Sequence, residues 1–428
     1  MSRPSPFSAC MLLLLTTASV LDLACSKTER PASADAQQTL AASGNSGTVP
    51  AVQAEPGDRN DALLDLAFSA ASAMPTTPHQ RNRARAQNAI VEAAFKIGRP
   101  ERALAFAERI DGWEKGLGLG EFAAQKARRK EEAPALEYLR RAQDFADGLS
   151  RGAKAQNWQV DRIRAKAAVT LLALGHKAEA DRIRGSLLTS EAREYDLERA
   201  ALVDAESIDG TLQAVDAVIA AGDLDAVVNA LAACTRLFDR FYADLPRRTE
   251  IETRIRSGYE KLPTDIRVGF LLDISSFAAG RSDREKAREL AQAAAAITES
   301  TKLTEEFLAP IEARLAQCLH QAGDDEGAAR AMSSALNAYD RGRALIADIH
   351  RARVLRPIAE SLAAMGRMTD ALGLYARAVD EGAVNPNARP RAEDLAATCC
   401  SMARAGLAPD AVLWEKMQKI RAGLVDPW

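Results

Sequence analysis

The sequence predicts an all-α protein built as a helical-hairpin repeat solenoid, and three observations carry that expectation. Of 428 residues, 47% are hydrophobic but only 5% aromatic. The apolar share is mostly Ala and Leu, which lose little entropy in a helix. Apolar stretches at helical spacing follow one another from Asp61 onward, separated by short turns. In five of them a glycine is followed five residues later by alanine: Gly98 and Ala103, Gly175 and Ala180, Gly323 and Ala328, Gly366 and Ala371, Gly406 and Ala411.

A pair of packed helices accounts for that recurrence. Glycine ends the first helix, where a left-handed residue is needed, and polar residues or Pro409 open the second. Alanine at the fifth place lets the second helix approach the first closely. Apolar residues ahead of the glycine, such as Ile358 and Leu362 or Leu315 and Leu319, are four apart and share one face.

This pattern resembles the tetratricopeptide repeat, a helix-turn-helix unit of about 34 residues. In "IAESLAAMGRMTDALGLYARAV", Ile358, Ala359, Leu362, Gly366, Ala371, Tyr375 and Ala378 fall on that family's favoured positions. The copy around Gly323 matches at Leu315, Ala316, Leu319, Ala328 and Ala335. Elsewhere the match thins: the stretch after Gly280 needs two extra residues before Ala287, and after Gly222 the alanine, Ala226, comes one place early. Turn glycines at 98, 175, 222, 280, 323, 366 and 406 are 77, 47, 58, 43, 43 and 40 apart. Those gaps imply longer helices and one further pair between Gly98 and Gly175, so about eight helix pairs are expected over residues 59–425.

The N-terminus reads as an export signal. Only Arg3 is charged before an uncharged run from Pro4 to Leu21, centred on "MLLLLTTASVL". A membrane span needs about 20 apolar residues, whereas a signal-peptide core needs about 7 to 15. The end of the run is similar to the lipobox of bacterial lipoproteins. Ala24 and Cys25 match its small residue and lipid-accepting cysteine, while Asp22 stands where Leu is usual. The resemblance implies a signal peptide over 1–24, lipidation of Cys25, and export to a membrane facing the periplasm or another extracytoplasmic space. Cleavage at "ASA" (32–34) and an uncleaved anchor are the alternatives. Residues 25–58 are rich in Ser, Ala, Gly, Pro and Gln without an aromatic residue, a composition that forms a tether rather than a core.

Chemistry is hard to find. A net charge of −3 offers no basic stripe for nucleic acid. "GLGLGEF" (116–122) lacks the strand and spacing of a nucleotide loop, and reads as small residues at a tight helix contact. His79, His176, His320 and His350 form no ligand motif, and Asp324, Asp325 and Glu326 follow a turn glycine, where carboxylates stabilise a helix start. No metal or other cofactor is implied. Cys234, Cys318, Cys399 and Cys400 lie in helical text as small hydrophobes. Phe238, Phe241 and Tyr242 share a helical face and are weak partner-binding candidates against the commoner core role.

The expectation is therefore a non-catalytic, lipid-anchored scaffold that holds a protein or peptide on its concave face. The alternative is a helical-toroid enzyme or binding protein for envelope polysaccharide, with Trp113 and Trp158 beside a groove. Mass spectrometry of the mature chain should find Cys25 as the first residue, carrying a diacylglyceryl group. A free amine on a later residue, or an intact Met1, would remove the anchor.

Overall fold

The computed structural model describes residues 56–152, 156–188, 191, 195 and 208–428. Among them it holds helices and turns, with no strand. The signal peptide, Cys25 and the expected tether as far as residue 55 lie outside the described residues. In chain order the helices are α1 (Pro56–Ala73), α2 (Thr76–Lys96), α3 (Pro100–Ala107), α4 (Glu114–Arg128), α5 (Glu132–Arg151), α6 (Asn157–Ala173), α7 (Lys177–Gly185), α8 (Ile208–Ala221) and α9 (Leu224–Arg240). They continue as α10 (Leu245–Gly258), α11 (Thr264–Gly280), α12 (Arg284–Glu299), α13 (Glu305–Gln321), α14 (Asp325–Gly342), α15 (Asp348–Ala364), α16 (Met368–Ala383), α17 (Ala388–Arg404) and α18 (Ala411–Ala422). Helix α1 thus starts inside the stretch assigned to the tether.

Left-handed residues make the turns. Gly98, Gly175, Gly222, Gly323, Gly366 and Gly406 all have positive φ. Gly280 does not: it ends α11, and Ser282 takes the left-handed place at φ 63°. This corrects the spacing, since Ala287 is five residues beyond Ser282. Lys130, at φ 62°, makes the turn between α4 and α5, which supplies the pair that glycine spacing missed. An aspartate often follows and caps the next helix: Asp283 Oδ1 accepts from the Lys286 amide at 3.1 Å, Asp324 Oδ1 from Gly327 at 2.8 Å.

The residue five places on is the contact point. Ala103, Ala135, Ala180, Ala287, Ala328 and Ala371 are buried at 1% exposure or less. After Gly222 that place belongs to buried Val227 rather than Ala226. Ala411 is exposed, because the Gly406 turn runs on to a cap at Asp410 and α18 begins late. Six of the residues that carry the repeat resemblance around Gly366, from Ile358 to Ala378, are buried; the turn glycine itself is not. The proline-bearing stretches at 244–250 and 385–391 are helix starts, with Pro246 and Pro390 in the first turns of α10 and α17.

Two layers result. The first helices pack side by side: α2 on α4, α4 on α6, then α9 on α11, α11 on α13, α13 on α15 and α15 on α17. The second helices lie against them on the other side. Neighbours that touch throughout one layer place that layer at the smaller radius, so the first helices form the inner wall. Each turn reverses the chain, so all first helices run from one rim of the array to the other. The Gly222 turn is the exception among the glycine turns, since it leads into a first helix, α9, and sits at the entry rim.

The first and last helices of the described residues meet. Helix α17 packs on α2, and its second helix is α1 rather than α18. The first helices therefore form one run, α9, α11, α13, α15, α17, α2, α4, α6, with the termini in its middle. Helix α1 is buried on more than one side, at Leu63, Leu64, Ala67, Phe68, Ala70 and Ala71. Phe68 stacks on Phe106 with ring centroids 4.5 Å apart. Helix α18 lies over the junction, where Arg421 Nε donates to Ser69 Oγ at 2.8 Å. The Ala388 amide donates to the Pro427 carbonyl at 2.7 Å. One hydrophobic core accordingly continues across the termini, from Leu424 to Leu63.

Replacing Phe68 by Ala should cost about 3–5 kcal/mol. Hydrogen exchange should then quicken in α17, more than 300 residues away, and not only in α2 and α3. Protection of α17 unchanged by the substitution would refute the assignment of α1 to the C-terminal unit.

Candidate binding surface on the inner wall

Side chains on the uncovered face of each first helix recur about every four residues, as a helix requires. On α2 they are Arg85, Ala89, Glu92 and Lys96; on α6, Trp158, Arg162 and Lys166. Ion pairs join the first helices one to the next. Asp239 of α9 meets Arg281 at the end of α11 at 3.0 Å, and Asp273 of α11 pairs with Arg314 of α13. Glu306 of α13 takes Arg353 of α15 at 2.5 Å and His350 at 2.7 Å. Arg356 of α15 meets Asp394 of α17 at 2.9 Å, and Glu360 meets Arg404 at 2.5 Å. Glu393 of α17 reaches Arg85 of α2 at 3.8 Å, so the belt crosses the junction of the termini. Lys166 of α6 holds Glu121 of α4 at 2.5 Å.

These groups sit in a hollow. The Arg314 side chain is 30% exposed and Glu121 27%, yet protein surrounds each of them. Their protonation reflects it. Burial pushes the Glu92 carboxyl up despite Lys96, and the nearby charge of Glu121 adds to the effect. Burial likewise pulls Lys96 down, and pushes Glu393 and Asp394 up against their arginines. At Glu121 burial also opposes the charge, but Lys166 and Arg128 outweigh it and hold the carboxyl below its usual range.

The residues singled out in the sequence fall elsewhere. Phe238 and Tyr242 are buried in the core, edge to face at 5.4 Å, and only Phe241 keeps a partly open surface. Tyr242 donates its hydroxyl to Asp283 at 2.8 Å, which ties the stripe to the next pair. Trp113 and Trp158 do come together, but edge to face at 5.0 Å. They contact each other, and Trp158 remains exposed at 37%. Glycines 116 and 118 are inside α4, where an added Cβ would stand 2.5 Å from Ile163 and 2.4 Å from Ala107. The tight contact expected of "GLGLGEF" is there.

His176 bonds Glu132 at 2.9 Å and His320 bonds Asp325 at 2.8 Å, both near helix ends. The four described cysteines are free and buried, and burial pushes the Cys234 and Cys400 thiols up to about 12. Among the described residues no His, Cys, Asp and Glu group could hold a metal ion, and no helix is long and apolar enough to cross a membrane. A cavity lined by Ala378, Val379, Leu395 and Thr398 has about 10 Å³ free, room for one water at most. The inner wall was missed by sequence reading because its pairs join residues 38 or more apart, and across the junction of the termini Arg85 meets Glu393. The signal was present as charges recurring on the open face of successive first helices.

No family model matches the chain, and no curated protein matches it. Among solved structures it is similar to one described as a circular tandem repeat protein with novel repeat topology and enhanced subunit contact surfaces. The TM-score is 0.25 at 12% identity, over 86% of this chain and 96% of that one. The fold assignment rests on the helix packing alone.

A carboxylate whose folded pKa is depressed adds stability above its unfolded value, about 4.3 for Glu. That contribution is lost as pH falls through the lower folded value. Urea midpoints of the wild type and Glu121→Gln should therefore differ most near neutral pH and converge as pH falls below the ordinary glutamate value of about 4.3. A gap that stays constant across that range would contradict the assignment.

Proposed function

We propose that the protein is a non-catalytic, tetratricopeptide-like scaffold that holds a protein or peptide segment on its inner wall. In this reading it is exported and attached to a membrane through a lipid on Cys25, and it has no nucleic-acid partner. The observation that carries the reading is the wall itself: a hollow, solvent-reached surface of parallel helices, lined by alternating carboxylates and cations. Such a surface selects a partner by charge pattern, because a wrong pattern leaves half-buried charges unpaired. The turn geometry and the buried positions around Gly366 support the likeness to the repeat family. The leader and the Ser- and Ala-rich stretch after Cys25 support the attachment.

A photo-crosslinking amino acid at Ala89 or Ala397, both on the open face of the inner wall, should give a protein adduct in intact cells. The same group at Arg330, on the outer helix α14, should not. Adducts from the outer position alone, or reproducible turnover abolished by a single wall substitution, would overturn the reading.

A further inference from the structure

The charges of the inner wall are unevenly shared. On the open faces of α2, α4 and α6 stand Arg85, Lys96, Arg128, Arg162 and Lys166, against Glu92 and Glu121. Glu121 is held twice, by Lys166 at 2.5 Å and by Arg128 at 2.7 Å. Glu92 accepts from Asn88 at 2.8 Å, and burial moves both Glu92 and Lys96 toward their neutral forms. That pair adds little net charge, so Arg85, Arg128, Arg162 and Lys166 stand against Glu121 alone. The chain as a whole carries −3, and this stretch of wall has the opposite sign.

Two of these cations are held loosely. Arg85 pairs with Glu393 only at 3.8 Å, and Glu393 is already bonded by Arg389 at 3.5 Å. Arg162 pairs with Glu191 only at 4.0 Å. Among the described residues neither guanidinium makes a hydrogen bond, and their side chains are 58% and 34% exposed. The wall curves them toward each other, since Glu92 of α2 feels the charge of Arg162 of α6 across α4. Ala89, Leu117 and Val169 lie among these charges on the same three open faces. A guanidinium is a planar fork of donors that takes a carboxylate through two parallel bonds. In a hollow with low-dielectric walls, cations left unanswered also concentrate the field on whatever enters.

Resting on the reading of the inner wall as a partner's seat, we propose that the partner presents an acidic peptide segment. Arg85 and Arg162 take its carboxylates, and its apolar side chains lie against Ala89, Leu117 and Val169. A peptide can space its charges to leave Glu92 and Glu121 unopposed. The unbroken charge row of a nucleic-acid strand would run over both.

The test selects a phage-displayed library of random peptides, about 12 residues long, on the purified full chain carrying Cys25→Ser. Clones with at least two excess Asp or Glu should rise at least about tenfold in frequency. The commonest of them, made as a fluorescent peptide, should bind Arg85→Gln/Arg162→Gln at least about tenfold more weakly. Arg85→Glu/Arg162→Glu should select basic clones instead, and Arg330→Glu, on the outer helix α14, should select as the wild type does. Both wall positions are solvent-reached, so circular dichroism should report the same fold; the Gln variant decides the matter if the Glu variant does not fold. No acidic enrichment, equal binding by the Gln variant, or easier displacement of the peptide by oligo-dT than by unlabelled peptide would each overturn the proposal. A protein adduct at Ala89 without acidic enrichment would remove the acidic partner and keep the wall as the seat. Absence of that adduct would remove the seat itself.

Discussion

An array of helix hairpins has an apolar face at each end, and water makes both costly. Most such arrays cover their ends with polar capping repeats. Here one helix removes two such faces by joining them: α1 lies on α17, the first helix of the last pair, and on α2, the first of its own half, so the run of first helices ends only at α9 and α6. Everything else follows from that contact. The order of first helices around the wall, the single core running across the termini, and the position of α18 as a strap all require α1 in this place.

Much of the fold was legible in the sequence, and the parts that were not fail for physical reasons. Glycine marks a left-handed turn only where no other residue bears the strain. Lys130 and Ser282 do bear it, at a cost of about 1–2 kcal/mol each, so a search for glycine missed one pair and displaced another by two residues. The Gly406 and Ala411 coincidence failed because the loop behind Gly406 is longer than the motif allows. Helix α1 could be recognised as apolar, but its pairing with α17 could not, since no local rule links Phe68 to a helix that begins at Ala388.

The candidate surface was less legible than the fold. Aromatic residues draw attention in a sequence, yet Phe238 and Tyr242 serve the core and the tryptophans serve a rim. The wall is made of ordinary charged residues that mean little singly. They acquire a role once the array sets Glu360 beside Arg404 and Glu393 beside Arg85. Burial then does what composition could not announce: it moves Glu92 and Lys96 toward their neutral forms while Lys166 keeps Glu121 charged.

Closure through α1 has a consequence for how such a protein can change over generations. Open arrays lengthen or shorten by duplicating or losing whole units, because only nearest neighbours notice. In this chain the first helix completes the last pair, so an added or deleted unit would open a gap between them or force every wedge angle to adjust. A change in the number of pairs between α2 and α17 is therefore felt at the α1 contact, whereas loops, rims and the charges of the wall can vary without disturbing it.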